Sequence, residues 1–293
     1  MSAKRLKAIV AARNATIVPG APNAMFARLI EDLGFETVYI SGAGIANMHL
    51  GAPDIGLVTM TEIQNVVASV ADAVSIPIIV DMDTGFGNSL NAIRTVRALE
   101  RAGAAGLQIE DQVFPKRCGH FSGKEVVPVE EIVQKIKAAV DTRVDQDLQI
   151  IARTDSRAVL GLEAAIERGQ RFVEAGADVI FIEAPLNEDE LSRVARAIDA
   201  PQLVNIVFGG LTPALSQAAF KEMGFSLVLY ANAALQASLK AMNDVLGALK
   251  REGSLNSVRD RLASFDERQR VVQKEKYDRF ETLYTNGSTA ADK

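Results

Sequence analysis

Eight short runs of mostly β-branched and aliphatic residues recur along the chain, each followed by a longer stretch with helical spacing. This alternation restricts the fold more than any other feature. The runs are 16–18, 37–41, 76–81, 106–110, 148–153, 179–183, 203–207 and 227–230. Most are nearly continuous in apolar character, as expected of parallel strands covered on both faces. The intervening segments, such as LNAIRTVRALERAGAAG and LEAAIERGQRFVEAGAD, are rich in Ala and carry charges at helical spacing. An Ala-Gly-Ala sequence at 102–104 and again at 175–177 supplies the glycine that ends a helix before the next strand. Alternating strand and helix implies right-handed βαβ units. Eight units predict an α/β fold, a closed (β/α)8 TIM-type barrel; a doubly wound open sheet is the rival use of the same units.

A chain of 293 residues is accommodated as one barrel domain, 1–293, with a C-terminal helical extension over 233–283. The extension comprises a helical pattern over 233–252, ended by Gly253, and a charged, helix-compatible segment over 258–283. A barrel needs one helix after its last strand, so the additional helix packs elsewhere: on another subunit, or back on its own barrel. Apolar residues at 48% exclude a wholly disordered chain. The balance of 32 basic and 37 acidic residues, net −5, gives no electrostatic reason to expect nucleic acid or an anionic membrane as partner. No apolar run approaches the roughly 20 residues that cross a bilayer. The N-terminus, MSAKRLKAIVAARNATIVPG, reads as an amphipathic helix rather than a signal peptide. One cysteine, Cys118, and no targeting segment predict a cytoplasmic protein.

In a parallel barrel the active site lies at the C-terminal ends of the strands. Polar residues collect there: Ser41-Gly42-Ala43-Gly44 after the second run, Asp81 and Asp83 at the third, Glu110 at the fourth, Arg153 at the fifth, Glu183 at the sixth and Asn205 at the seventh. Strand periodicity predicts that Asp81 and Asp83 point the same way. With Asp54, Glu110 and Glu183 they offer hard oxygen ligands, which suit Mg²⁺, or Mn²⁺, with several waters retained. Ordinary capping of strand ends would explain one Asp-x-Asp alone; acids on adjacent strands favour a metal. The glycine-rich Ser41–Gly44 turn can present backbone N–H groups to a carboxylate, although tight turns need glycine anyway. Arg153 can grip a carboxylate with two hydrogen bonds. Asn205 reads equally as a ligand contact or a structural amide.

The connection from 112 to 128 is long for a strand-to-helix loop, and such loops often serve as lids. It carries Lys116-Arg117-Cys118-Gly119-His120. Cationic neighbours favour the thiolate of Cys118, and His120 can orient the loop or bind an anionic substrate. One cysteine and two distant histidines do not match the spacing of a structural zinc site.

The segments YISGAG (39–44), DMDTGFG (81–87), GLQIEDQ (106–112), KRCGH (116–120), ARTD (152–155) and EAP (183–185) occur in order from about residue 6 to 283. Together they make the chain resemble the isocitrate lyase/phosphoenolpyruvate mutase superfamily, in its 2-methylisocitrate lyase and 2,3-dimethylmalate lyase branch. The resemblance implies a barrel with a helix exchanged between subunits, usually a homotetramer. It implies Mg²⁺ near Asp81, Asp83 and Glu110 with Asp54 in the surrounding shell, and a 2-oxo acid held by Ser41, Gly42, Ala43, Asp83 and Arg153. The gating loop would bring Lys116, Cys118 and His120 to the substrate, with Cys118 protonating a carbanion and Tyr39 or an acid serving as base. The KRCGH motif points to carbon–carbon cleavage of a 2-hydroxy dicarboxylate. Oxaloacetate hydrolysis or decarboxylation, a phosphonate mutase or hydrolase, and a non-catalytic carboxylate-binding barrel are the alternatives. The chain departs from the methylisocitrate lyase pattern at 205–210 (NIVFGG), where a polar and an acidic residue often follow Asn-Ile, and at Ala231, where relatives often carry Pro and oxaloacetate-hydrolysing relatives often carry Ser. Both departures leave room for a smaller or more apolar substrate.

Overall fold

The computed structural model describes residues 2–119 and 123–285. Its eight strands are β1 (Thr16–Pro19), β2 (Val38–Ile40), β3 (Ile78–Asp81), β4 (Gly106–Glu110), β5 (Gln149–Thr154), β6 (Val179–Ile182), β7 (Gln202–Asn205) and β8 (Leu227–Tyr230). Parallel ladders join them in sequence from β2 through β8 and on to β1. The seam between β1 and β2 is closed by one bridge, Gly20 to Tyr39, where Ala21 N donates to Tyr39 O at 2.8 Å. This sequential ring is the expected (β/α)8 barrel; a doubly wound sheet would reverse its strand order. The runs at 106–110 and 227–230 match their strands residue for residue, and the others differ at their ends, where assignment is softest.

Helix α1 (Ser2–Ala11) precedes β1, and the α-helices between strands are α2 (Ala24–Asp32), α3 (Gly42–Ile45), α4 (Met60–Ala71), α5 (Ser89–Arg101), α6 (Val129–Thr142), α7 (Ser156–Leu160), α8 (Leu162–Glu174), α9 (Glu188–Ala197) and α10 (Gln217–Met223). Several begin on side-chain caps that satisfy their first N–H groups. Asn23 accepts from Phe26 N at 3.1 Å, and Thr59 and Glu62 form a reciprocal capping box at α4.

Alternation along each strand sorts the core into two layers. Ile79, Ile151, Phe181, Leu203 and Leu229 fill the barrel, while Val80, Leu107, Ile150 and Ile180 face the helices, against Val67, Leu99, Ile136 and Phe172. The amphipathic α1 joins the inner layer through Leu6, Ile9 and Val10. Gly106, at the start of β4, has no side chain because a Cβ there would stand 2.8 Å from Leu6 Cδ2. The N-terminal helix therefore stoppers the end of the barrel opposite the predicted active site.

The chain divides into two compact units, Met1–Leu235 and Gln236–Lys293. The second unit takes most of α11 (Ala233–Glu252), which ends at Gly253 with φ +64°. The single helix-compatible stretch expected at 258–283 is broken into a 3-10 turn (Asn256–Arg261), α12 (Phe265–Val271) and α13 (Lys274–Thr285). Ser264 starts α12 by accepting from Glu267 N at 3.1 Å, and Gln273, with φ +56°, separates α12 from α13. Val245, Ala248 and Val258 form the apolar cluster of this unit, while Leu239, Met242, Leu246 and Leu249 are exposed at helical spacing along α11. Among the described residues, no helix is long and apolar enough to cross a membrane.

Candidate active site

The strand ends converge on a cavity of about 40 Å³. Tyr39, Ser41, Ala43, Asp54, Asp81, Glu110, Lys116, Cys118, Arg153, Glu183 and Asn205, each expected in the site, all line it. Gly42 and Asp83 stand immediately beside it: Gly42 N donates to Asp81 Oδ2 at 3.3 Å, and Asp83 N donates to Asp81 Oδ1 at 3.0 Å. His120 lies outside the described residues. Ser41 caps α3 by accepting from Gly44 N, so part of the glycine-rich turn serves the helix rather than a ligand.

Asp81 and Asp83 meet by a different route from the one their spacing suggests. β3 ends at Asp81, and Asp83 lies beyond it with φ +47°, a left-handed conformation that strand alternation does not produce. The bend, not period two, places Asp83 beside Asp81. Gln108 on β4 donates to Asp81 Oδ1 at 3.2 Å and accepts from the Tyr39 hydroxyl. Burial, reinforced by Asp81, raises the Tyr39 phenol well above its ordinary pKa, so it keeps its proton.

The loop after β4 supplies a buried ammonium to this acidic side. Lys116 Nζ lies 2.6 Å from Asp54 Oδ1 and 2.9 Å from Asp83 Oδ1. Burial opposes its charge, yet Asp83, Asp81, Glu110 and Asp54 together push its pKa up. Burial also raises Asp83 to about 7, against the pull of Lys116 and with the help of Asp81 and Asp54. Glu110 is likewise raised by burial, with Arg153 and Lys116 opposing. Among the described residues, Glu110 Oε1 is buried without a hydrogen-bond partner, and no three His, Cys, Asp or Glu side chains surround one metal-sized position directly.

The opposite side is an ion-pair network. Arg153 donates through Nε and NH2 to Asp155 at 2.9 and 3.0 Å, and its NH1 lies 3.0 Å from Glu183 Oε2. Its guanidinium covers the Phe181 ring at 5.1 Å, and Asn205 Nδ2 donates to Glu183 Oε2 at 3.5 Å. Glu183 thus stands with Arg153 and Asn205, not in the oxygen cage expected from sequence. Asp155 also takes Lys124 Nζ at 2.7 Å, while its own N–H donates to Asp111 at 2.9 Å. Burial would raise Asp155, but Arg153 and Lys124 outweigh it and hold it at about 2. Lys124, Asp155, Asp111 and Gln108 were not marked as site residues by the sequence. Asp155 had a local signal, standing two residues beyond Arg153; Lys124 had none, because its partners come from other parts of the chain.

The described parts of the loop from 112 to 127 are bound down at both ends and at Cys118 and Gly119. Its two ends pair through a Gln112–Val126 bridge, and Arg168 NH2 donates to Val127 O at 2.9 Å. Cys118 N donates to Asp54 O at 3.2 Å. Gly119 is pressed so closely on Arg153 and Glu183 that a Cβ would overlap both. A 40 Å³ space holds a few waters and is smaller than a dicarboxylate.

Comparison with known proteins matches residues 6–250 to the phosphoenolpyruvate phosphomutase family. A 2,3-dimethylmalate lyase of Eubacterium barkeri is 44% identical over 286 residues, covering 98% of this chain and 99% of that protein. A 2-methylisocitrate lyase of Aeropyrum pernix is 44% identical over 257 residues, covering 88% and 82%. A phosphonopyruvate hydrolase solved with oxalate and Mg²⁺ superposes with a TM-score of 0.88 at 30% identity, covering 97% of this chain and all of that one.

Proposed function

We propose, on the premise that this chain belongs to the phosphoenolpyruvate phosphomutase family and is a carbon–carbon lyase within it, that it cleaves a methyl-substituted 2-hydroxy dicarboxylate of the 2,3-dimethylmalate type with the help of Mg²⁺. The observation that carries the substrate choice is the cavity wall beyond Asn205. It is built by Val207, Leu229, Ala231 and Asn232, none of which offers charge to a third carboxylate, and the first three suit methyl groups.

The donor set fits a hydrated Mg²⁺. Asp81, Asp83, Glu110 and Asp54 are hard oxygen donors, Glu110 keeps an unpartnered buried oxygen, and the raised carboxyls would return to their charged forms beside a cation. When bound, Mg²⁺ would polarise the 2-hydroxyl and neighbouring carboxylate of the substrate.

The chain's own residues do the remainder. The amide turn at Ser41–Ala43 and Arg153 orient the 2-oxo acid portion. Arg153 is preset by Asp155 and Glu183, so it offers charge without reorganising. Loss of the hydroxyl proton to a base makes C2 a ketone as the C2–C3 bond breaks, leaving the electron pair on C3. Tyr39, held protonated, positions Gln108 and Asp81 in this scheme, and a carboxylate takes the base role. Cys118, lining the cavity on the closed loop, delivers a proton to C3. One proton leaves the hydroxyl and one arrives at C3, giving pyruvate and propionate from 2,3-dimethylmalate. Water is excluded meanwhile by Gly119 seated on Arg153. A homotetramer built on the exposed apolar face of α11 is part of the same reading, and light scattering tests it.

The deciding experiment measures every product from 2,3-dimethylmalate, 2-methylisocitrate, isocitrate and oxaloacetate, with Mg²⁺ and with chelator. Chelator-sensitive pyruvate with propionate is the expected result. Pyruvate with succinate would move the substrate to methylisocitrate, and oxalate with acetate would replace cleavage by hydrolysis.

A further inference from the structure

Of the contacts that tie the two halves of the 112–127 loop to the barrel, the one in the second half made by a buried ammonium has no place in the chemistry above. At its first half, Lys116 and the Cys118 amide bind Asp54. At its second half stands Lys124, whose side chain is 2% exposed. Its ammonium donates to two oxygens of different origin: Gly119 O within the loop, and Asp155 Oδ1, 2.7 Å away at the end of β5. A buried ammonium is costly unless both charge and hydrogen bonds are answered. Lys124 finds its charge partner only with the loop down, because Asp155 belongs to the barrel, while Gly119 O fills a further hydrogen bond from within the loop.

Asp155 gives this tie its reach. The carboxylate that accepts Lys124 through Oδ1 also accepts Arg153 NH2 through Oδ1 and Nε through Oδ2. Arg153 in turn meets Glu183 at 3.0 Å and Glu110 at 3.4 Å. One unbroken chain of charges runs from the loop, through Lys124, Asp155 and Arg153, to the acids of the barrel mouth. Gly119, the residue whose carbonyl Lys124 holds, follows Cys118 and lies against Arg153.

We propose that Lys124 is a positioning residue: its ion pair with Asp155 latches the loop shut, seating Cys118 over the cavity in the same movement that fixes Arg153. The role of Cys118 and Arg153 in it rests on the reaction proposed above; the latch itself does not. Opening breaks the Lys124–Asp155 pair and lifts Gly119 from Arg153, and closing restores both, so loop position and the setting of the guanidinium change together. Lys124 touches no reacting atom and acts only through Asp155 and Gly119.

The test compares Lys124→Met, Lys124→Gln and Lys124→Arg with the wild type in the full chain. Backbone hydrogen–deuterium exchange over 113–119 and trypsin cleavage after the exposed Arg117 read loop opening without any turnover. Met and Gln are expected to accelerate both by about tenfold or more, and Arg to restore protection. In the lyase assay, Met and Gln should lower kcat about 100-fold, the scale of a small misplacement of reacting groups, with KM changed less than about threefold. Arg should recover most of kcat. A general loss of packing would move KM and the melting temperature as well and would not be rescued by Arg. If Met does not fold, Gln decides. Wild-type exchange and kcat in the neutral variants overturn the proposal, as does a wild type that exchanges as fast as they do. A wild type that turns over none of the substrates refutes the reaction alone, since exchange and cleavage still decide the latch.

Discussion

Two flanks of one barrel mouth treat their charges in opposite ways. On the β2–β4 flank, Asp54 and Asp83 pair with the ammonium of Lys116, Asp81 stands beside them and Glu110 borrows Arg153 from the other flank at 3.4 Å, so four acids meet one cation of their own, and burial drives Asp83 and Glu110 toward their protonated forms. On the β5–β7 flank, Asp155 and Glu183 are matched by Lys124 and Arg153, and Asp155 is held ionised. The two sides are equally buried, so burial alone does not separate them. The difference is stoichiometry. An acid-rich flank is suited to receive a cation, whereas a balanced flank is already a finished scaffold whose task is to hold one guanidinium still.

Breaking the first flank should hurt chemistry and spare the fold. Asp81→Asn is expected to abolish Mg²⁺ binding and lower turnover by about 10³–10⁴-fold, with the metal-free melting temperature unchanged or raised, since a repelling charge is removed. Calorimetric titration and a melt check this; a large loss of metal-free stability would erase the contrast. Breaking the second flank should cost the fold as well as turnover. Asp155→Ala leaves Arg153 and Lys124 buried without their shared partner, and denaturant unfolding should show a loss of about 3–5 kcal/mol. Cys118 lies on the loop that spans both flanks, so Cys118→Ser separates reaction from charge balance. It should lower kcat by about 100-fold or more while Mg²⁺ titration and unfolding stay at wild-type values.

The finest discrimination comes from pH. Asp83 has a folded-state value of about 7, above its unfolded value, so the folded protein binds the extra proton. In metal-free protein its contribution therefore falls as pH rises from about 4 to 7, and the Mg²⁺-induced rise in melting temperature should grow over the same interval. Asp155, at about 2, lies below its unfolded value. Its roughly 2 kcal/mol is present above about pH 4 and is lost as pH falls toward 2. Melts across pH with and without Mg²⁺ should show the two signs; a single shared sign would mean that the flanks do not differ.

The barrel was legible in the sequence because parallel strands buried on both faces leave unbroken apolar runs, and these stand at 106–110 and 227–230 without a residue's error. The acidic mouth was legible because strand ends must carry it. Asp83 came out in the right place for the wrong reason: nothing in Asp-Met-Asp announces a left-handed residue after the strand. Lys124 and Gln108 escaped because their partners lie 31 and 27 residues away, a distance over which periodicity carries no information. The break in the C-terminal segment did have a signal, since Ser264-Phe265-Asp266-Glu267 has the spacing of a helix start within what otherwise reads as one helical stretch.

The seam between β1 and β2 makes Tyr39 a clasp with two hands. Its backbone closes the ring against Gly20 and Ala21, and its hydroxyl steadies Gln108, which steadies Asp81. The seven other joints of the ring carry two or more registered pairs each, so strain applied to the barrel concentrates where one residue does the fastening. A wedge driven there, even one as slight as a methyl group at Gly20, where the Ala231 carbonyl leaves no room, would be felt at the Asp81 carboxylate without touching it.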